Sequence, residues 1–287
     1  MADFRSRPVL VTGASSGIGA AVAERLVRGG WTVYATARKP ELLGRLAEAG
    51  ARTLALDVTD EASMVRAVAV VEAQHGAVGA LVNNAGYSQS GAVEEVPLDA
   101  IRRQFETNVF GLTRLTQLVL PGMRRARSGR IVNIGSMGGR LTFPGGGVYH
   151  ATKHAVEALS DALRFEVRGF GIQVVLVQPG LIRTGFSDVA VASLERLDQP
   201  GNPYAAFDRE VGRITTESYW KGPLARLAGE PSAVAEIVEY VLATDRPKAR
   251  YRVTGSARLL MTLRRWLPDA VWDALLRRTY PSPGVPA

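Results

Sequence analysis

Short apolar runs alternate along this chain with longer segments whose apolar positions recur every three to four residues. That is the pattern of strands interleaved with amphipathic helices. Val9-Leu-Val11 opens the series and Trp31-Thr-Val-Tyr-Ala-Thr36 follows. Further strands are predicted at 52–58, 80–83, 130–134 and 173–178, with a short last one at 251–254. Helices are predicted at 20–28, 60–75, 98–125, 149–168 and 232–243. Ile172-Gln-Val-Val-Leu-Val177 has no polar face, as expected of a strand covered on both sides. The alternation predicts one α/β domain over residues 1–287, a doubly wound parallel sheet of Rossmann type. Its core spans about 8–255, and a C-terminal helical extension follows at about 256–287.

Two regions break the rhythm. Residues 185–229 carry Gly201, Pro203, Gly212, Gly222 and Pro223 and show only short helical fragments. A long irregular stretch after a strand's carboxyl end is expected to overhang a ligand crevice as a substrate loop. In the tail, Leu259, Leu260, Leu263, Trp266 and Leu267 alternate with Arg264 and Arg265. An amphipathic element from Arg258 to Arg278 is therefore expected, closing the crevice, resting on an anionic membrane surface, or simply packing as a terminal helix with solvated arginines.

Composition narrows the chemistry. Cysteine is absent, which removes disulfides, thiol catalysis and thiolate-bound metal. His75, His150 and His154 form no ligand set with a suitable third partner, so no metal is expected. The net charge of +8 comes almost wholly from the tail, where nine basic residues between Arg246 and Arg278 face only Asp269 and Asp273. A basic tail on a near-neutral body, without a recognition module, argues against nucleic acid. With the first strand beginning at Val9 and no charge-free apolar run of bilayer length, a cytoplasmic protein is expected.

The chemistry gathers at strand ends. Thr12-Gly-Ala-Ser-Ser-Gly-Ile-Gly19 joins the first strand to a helix through small residues. Such a turn lets backbone N–H groups approach a pyrophosphate at the positive end of a helix. The glycines Gly13, Gly17 and Gly19 follow a G-x3-G-x-G spacing rather than G-x-G-x-x-G. Asn83-Asn-Ala-Gly86 follows the strand at 80–83, Ser136 follows that at 130–134, and Pro179-Gly180 closes that at 173–178. Tyr149 and Lys153 open a helix four residues apart and so share a face. A nearby ammonium favours the phenolate, tuning the phenol for proton transfer to a substrate oxygen that Ser136 can orient.

Taken together, Thr12–Gly19, Asn83–Gly86, Asn108, Ser136, Tyr149-x-x-x-Lys153 and Pro179-Gly180 resemble the short-chain dehydrogenase/reductase family over roughly residues 8–245. The resemblance implies Tyr149 as catalytic acid/base and Ser136 as binder of the substrate oxygen. It implies Lys153 as modulator of Tyr149 and ligand of the nicotinamide ribose, and Asn108 as holder of a proton-relay water. It assigns Gly13, Ser15, Ser16, Gly17, Ile18 and Gly19 to the cofactor turn, Asp57 and Val58 to the adenine, and Asn84, Ala85 and Gly86 to the central cofactor region. Pro179, Gly180, Ile182 and Thr184 would meet the nicotinamide end. The same resemblance implies a homodimer or homotetramer built through the helices at 98–125 and 149–168. The tail is similar to the branch resembling 17β-hydroxysteroid and retinol dehydrogenases, which implies a hydrophobic substrate and puts the usual tetramer contacts in doubt.

Cofactor choice is read at the end of the second strand. An NAD site places an acid there for the ribose 2′-OH, whereas here Thr36-Ala-Arg-Lys39 offers Ala37 in that slot. Arg38 and Lys39, with Ser15 from the turn, suit the 2′-phosphate of NADP(H). These residues point to an NADP(H)-dependent oxidoreductase interconverting a carbonyl and a secondary alcohol on a small molecule. Reduction of an imine or enoyl group, and a non-catalytic dinucleotide-binding regulator, are the alternatives.

Overall fold

The computed structural model describes residues 4–195, 197 and 201–284. Seven strands form its sheet: β1 (Val9–Val11), β2 (Val33–Ala37), β3 (Arg52–Ala55), β4 (Ala80–Asn83), β5 (Gly129–Ile134), β6 (Ile172–Pro179) and β7 (Arg250–Val253). Their order is β3-β2-β1-β4-β5-β6-β7, every neighbouring pair parallel. The helices are α1 (Gly17–Arg28), α2 (Gly44–Glu48), α3 (Glu61–His75), α4 (Leu98–Phe105), α5 (Leu112–Arg125) and α6 (Gly147–Glu166). They continue as α7 (Phe186–Glu195), α8 (Ala205–Trp220), α9 (Pro231–Ala243), α10 (Gly255–Trp266) and α11 (Asp269–Thr279).

Alternation within each strand divides the core. Val9, Val11, Val33 and Ala35 point to one face, where Val22 and Leu26 of α1 and Val234 and Val238 of α9 cover them. Leu10, Tyr34, Leu81 and Ile131 point to the other, against Val71 of α3 and Leu115 and Val119 of α5. A doubly wound sheet of Rossmann type results, as the pattern predicts. Both faces of the central strands β1, β2, β4 and β5 are covered and these are buried throughout, whereas the edge strands β3 and β7 stay partly exposed. The winding reverses between β1 and β4, and a crevice opens at such a reversal outside the strands' carboxyl ends.

Three elements differ from the sequence reading. First, the helix expected over 98–125 is interrupted by a π turn at Glu106–Gly111. There the backbone passes so close to β3's exit that a Cβ on Gly111 would overlap the Val58 carbonyl oxygen. Second, residues 185–229 are not a structureless loop but carry α7, α8 and a 3-10 turn at Pro223–Leu227. Most of their glycines and prolines lie between these helices; Gly212 lies inside α8, where the side chain of Leu194 packs close to it. The two ends of this insertion are tied by a parallel bridge between Ile182 and Gly229. The Arg183 guanidinium adds bonds to the Tyr219 and Ala225 carbonyls and to Glu230. Third, the tail is two helices, because Pro268 stops α10 from running into α11. Among the described residues no helix is long and apolar enough to cross a membrane.

Candidate active site

A single cleft of about 1280 Å³ runs along the carboxyl ends of the central strands. Its floor at one end is the glycine turn. Gly13 and Gly17 have φ of 65° and 56°, a left-handed backbone that other residues adopt only at a cost. Gly19 serves a different need: a Cβ there would overlap both the Gly13 carbonyl oxygen and Asn84 Nδ2. Its bare backbone lets α1 press directly against the turn. Ser16 stands in the N-cap position with extended backbone and makes no side-chain capping bond. The first amides of α1 have no partner within the helix and are free to meet an anion.

The turn is braced from β4. Asn84 Nδ2 donates to the Thr12 and Gly13 carbonyls at 2.9 and 3.1 Å. Thr12 Oγ1 accepts from the amides of Asn84 and Ala85 at 2.9 and 3.0 Å. One strand further, Asn83 Nδ2 donates to Asn133 Oδ1, and Asn133 Nδ2 to Ser160 Oγ, both at 2.9 Å. This buried amide chain ties β4, β5 and α6 together behind the cleft.

At the other end of the cleft lie the titratable groups. Ser136 caps a 3-10 turn, its Oγ accepting from the Gly138 amide at 3.0 Å, and it hydrogen-bonds the Tyr149 phenol. The Tyr149 ring packs edge-on against Phe186 and His150, with centroids 5.3 and 5.6 Å away. Lys153 Nζ donates to the Ile134 carbonyl at 2.9 Å and stands 5.8 Å from the Tyr149 ring centroid. Burial pushes the Tyr149 phenol up to about 12, and Ser136's hydrogen bond only partly offsets it. Burial likewise pushes the Lys153 ammonium down to about 8. Loss of water is the largest influence on each of the two groups.

His150 is held neutral, burial bringing it to about 4. Its Nδ1 lies 3.1 Å from the Gly138 carbonyl, so that nitrogen carries the proton. Asn108 sits in the π turn behind the wall rather than on it. Its carboxamide takes the Tyr87 amide at 3.1 Å and donates to the Tyr87 carbonyl at 2.9 Å and Thr152 Oγ1 at 3.1 Å. It thereby joins the loop after β4 to α6.

The remaining expected residues fall along the same cleft. Ser15, Ile18, Arg38, Asp57, Val58, Ala85, Gly86, Pro179, Gly180, Ile182 and Thr184 all line it; Gly19, Lys39 and Asn108 do not. Ala37 ends β2, and Arg38 follows it on the cleft wall. Sequence reasoning missed Thr12 as a brace and Leu56 as a lining residue; both are small apolar or hydroxyl positions without a spacing signature. The insertion and tail expected to overhang and close the crevice line it through α8, α10 and α11, where Val211, Ile214, Tyr219, Leu260 and Trp272 turn inward. Tyr219 is partly buried near Tyr149, and loss of water raises its phenol pKa as well. The turn, the slot beside Arg38 and the apolar side opposite Asp57 suit a dinucleotide.

The chain is similar to known proteins. A family model described as short chain dehydrogenase matches residues 7–194. The 3-ketodihydrosphingosine reductase of Bacteroides thetaiotaomicron is 37% identical over 275 residues, covering 95% of this chain and 97% of its own. Retinol dehydrogenase 16 of Rattus norvegicus is 33% identical over 299 residues, covering 99% of this chain and 92% of its own. The crystal structure of a short-chain dehydrogenase from Streptomyces avermitilis superposes with a TM-score of 0.78 at 37% identity, covering 94% of each chain.

The contact at Gly19 makes a sharp expectation. Gly19→Ala forces α1 away from the turn, and dinucleotide affinity should fall by about tenfold or more while the circular dichroism of the sheet and helices is kept. Fluorescence titration of both proteins with NADPH measures this; equal dissociation constants would contradict the close-approach account.

Proposed function

The chain belongs to the short-chain dehydrogenase/reductase family, on the side that resembles retinol dehydrogenases, and from that premise we propose that it is an NADP(H)-dependent oxidoreductase interconverting a hydrophobic carbonyl compound and its secondary alcohol. One observation carries this reading. Ser136, Tyr149 and Lys153 face the same cleft that begins at the glycine turn and ends in an apolar chamber.

The dinucleotide, when bound, supplies the hydride for the carbonyl carbon. The rest belongs to the chain. Tyr149 donates its phenolic proton to the substrate oxygen as negative charge develops there, and Ser136 donates a second hydrogen bond to the same oxygen. Ser136 is free to do so because the Gly138 amide already fills one of its lone pairs and fixes its rotamer. Lys153 is held beside the ring by Ile134's carbonyl, where its ammonium favours the phenolate left after proton transfer. Phe186 and His150 fix the ring plane. Asn108 keeps α6 in register with the loop after β4, and so sets where Tyr149 stands.

Substrate class follows from the chamber. Phe143, Val211, Ile214, Leu224, Leu260 and Trp272 line it, and burying an aliphatic chain there contributes about 0.8 kcal/mol per methylene. The relative that reduces 3-ketodihydrosphingosine is in keeping with this chemistry. Self-association through α5 and α6 is part of the proposal: Phe110 just before α5 and Leu159 and Phe165 on α6 are all exposed apolar residues.

Because reduction draws on a protonated phenol, and burial raises that phenol's pKa, reduction should hold steady through neutral pH and fade only in strong alkali. Alcohol oxidation needs the phenolate and should instead climb as pH rises. Tyr149→Phe keeps the ring and loses the proton, so kcat should drop by about 10²–10⁴-fold with NADPH affinity unchanged. Steady-state rates in both directions across pH, for wild type and variant, check this; a variant with wild-type kcat would rule Tyr149 out as the proton donor.

Arg38 and the missing acid predict the cofactor. The wild type should favour NADPH over NADH in kcat/KM, and Ala37→Asp with Arg38→Ala should reverse the order by removing a phosphate partner and adding repulsion. A wild type that prefers NADH would refute the assignment.

A further inference from the structure

The two C-terminal helices are apolar on two faces, and among the described residues only one of those faces has a partner. Inward, Ala257, Met261 and Trp272 pack with Met137, Leu141 and Leu181. Outward, Leu259, Leu263 and Trp266 recur at i, i+4 and i+7 on α10, and Val271 and Leu275 repeat the spacing on α11; all five are exposed, Trp266 by 74%. Among the described residues seventeen large apolar side chains are exposed, so five within these two short helices is a concentration rather than scatter.

Charge accompanies the stripe. Arg258, Arg265, Arg277 and Arg278 are exposed on the same two helices. Of their two acids, Asp269 is already bonded to Arg264 at 2.6 Å, leaving Asp273 alone against the arginines. The Arg265 guanidinium lies 5.5 Å from the Trp266 ring centroid, so cation and indole act at one level. Leu263 and Leu275 belong both to the exposed stripe and to the cleft lining. The stripe therefore runs into the cleft mouth.

We propose that α10 and α11 form a docking face for an anionic membrane surface. The stripe enters the boundary between headgroups and acyl chains, the arginines meet lipid phosphates, and the cleft mouth opens toward the lipid. A bilayer supplies an apolar layer and a continuous negative charge at one place, which is what this face complements. A second copy of the chain does not, because a twofold contact here would set each arginine cluster against its own image. Entry of substrate from the lipid side rests on the hydrophobic-carbonyl reading above; docking itself does not.

The full chain is sedimented with vesicles of phosphatidylcholine alone or mixed with phosphatidylglycerol, at low and high salt. Binding to the anionic vesicles should exceed binding to neutral ones by about tenfold or more and weaken with salt. Leu259→Ser with Trp266→Ser, and separately Arg258→Glu with Arg265→Glu, should each abolish it, while turnover of a short water-soluble ketone stays at the wild-type level. If a variant folds poorly, quenching of the wild-type tryptophan fluorescence by brominated lipid in anionic vesicles gives the same answer. Equal binding to neutral and anionic vesicles, or none to either, overturns the proposal. So does a dimer in sedimentation velocity that the Leu259/Trp266 variant converts to monomer without any vesicle binding. Vesicle binding without ketone turnover would leave docking standing and remove the proposed reaction instead.

Discussion

The contact between α1 and the glycine turn is the constraint on which the site depends. Without a side chain at Gly19 the helix lies against the Gly13 carbonyl, and Asn84 fits into the same junction with bonds to Thr12 and Gly13. The junction sits where the sheet's winding reverses between β1 and β4, the one position at which helices diverge to opposite faces and leave a crevice. Strand ends β4, β5 and β6 then deliver Asn84, Ser136 and Pro179-Gly180 to the same edge because all strands run parallel. The positions of the polar groups are thus consequences of register, and register is set by the buried alternation of Val9, Leu10 and Val11 and their neighbours.

Electrostatics at the far end follow from enclosure. Tyr149 and Lys153 are both taken out of water, so each is pushed toward its neutral form, the phenol up and the ammonium down. A neutral phenol hydrogen-bonded to Ser136 suits proton delivery to a carbonyl. In the proposed reaction, the same enclosure, lined from α7, α8, α10 and α11, would exclude water from hydride transfer and give an aliphatic substrate its binding energy.

How much is legible in the sequence depends on the range of the interactions involved. The alternation of strands and helices, the glycine turn and the Tyr149/Lys153 spacing are local features, and each is visible in a few consecutive residues. The interruption at Glu106–Gly111 is not, because it answers to Val58 and Tyr87, far away in the chain. The insertion at 185–229 looks irregular from its glycines and prolines, yet its helices form where Gly212 admits Leu194 and where Arg183 ties the ends. Thr12 gives no signal as a brace until β4 is placed beside β1. The tail's apolar and basic residues are plain to read, but which of its two apolar faces would close the cleft is settled only by packing.

The central claim is that the dinucleotide turn, the Ser136–Tyr149–Lys153 group and the apolar chamber work as one cleft on one substrate. Its most direct test is NADPH consumption with a series of linear ketones and hydroxyl-bearing ketones of increasing chain length. The account predicts that kcat/KM rises with each added methylene, by roughly threefold to fourfold per group until the chamber is filled, from the burial of about 0.8 kcal/mol each. A rate indifferent to chain length, or turnover confined to short polar ketones, would contradict it.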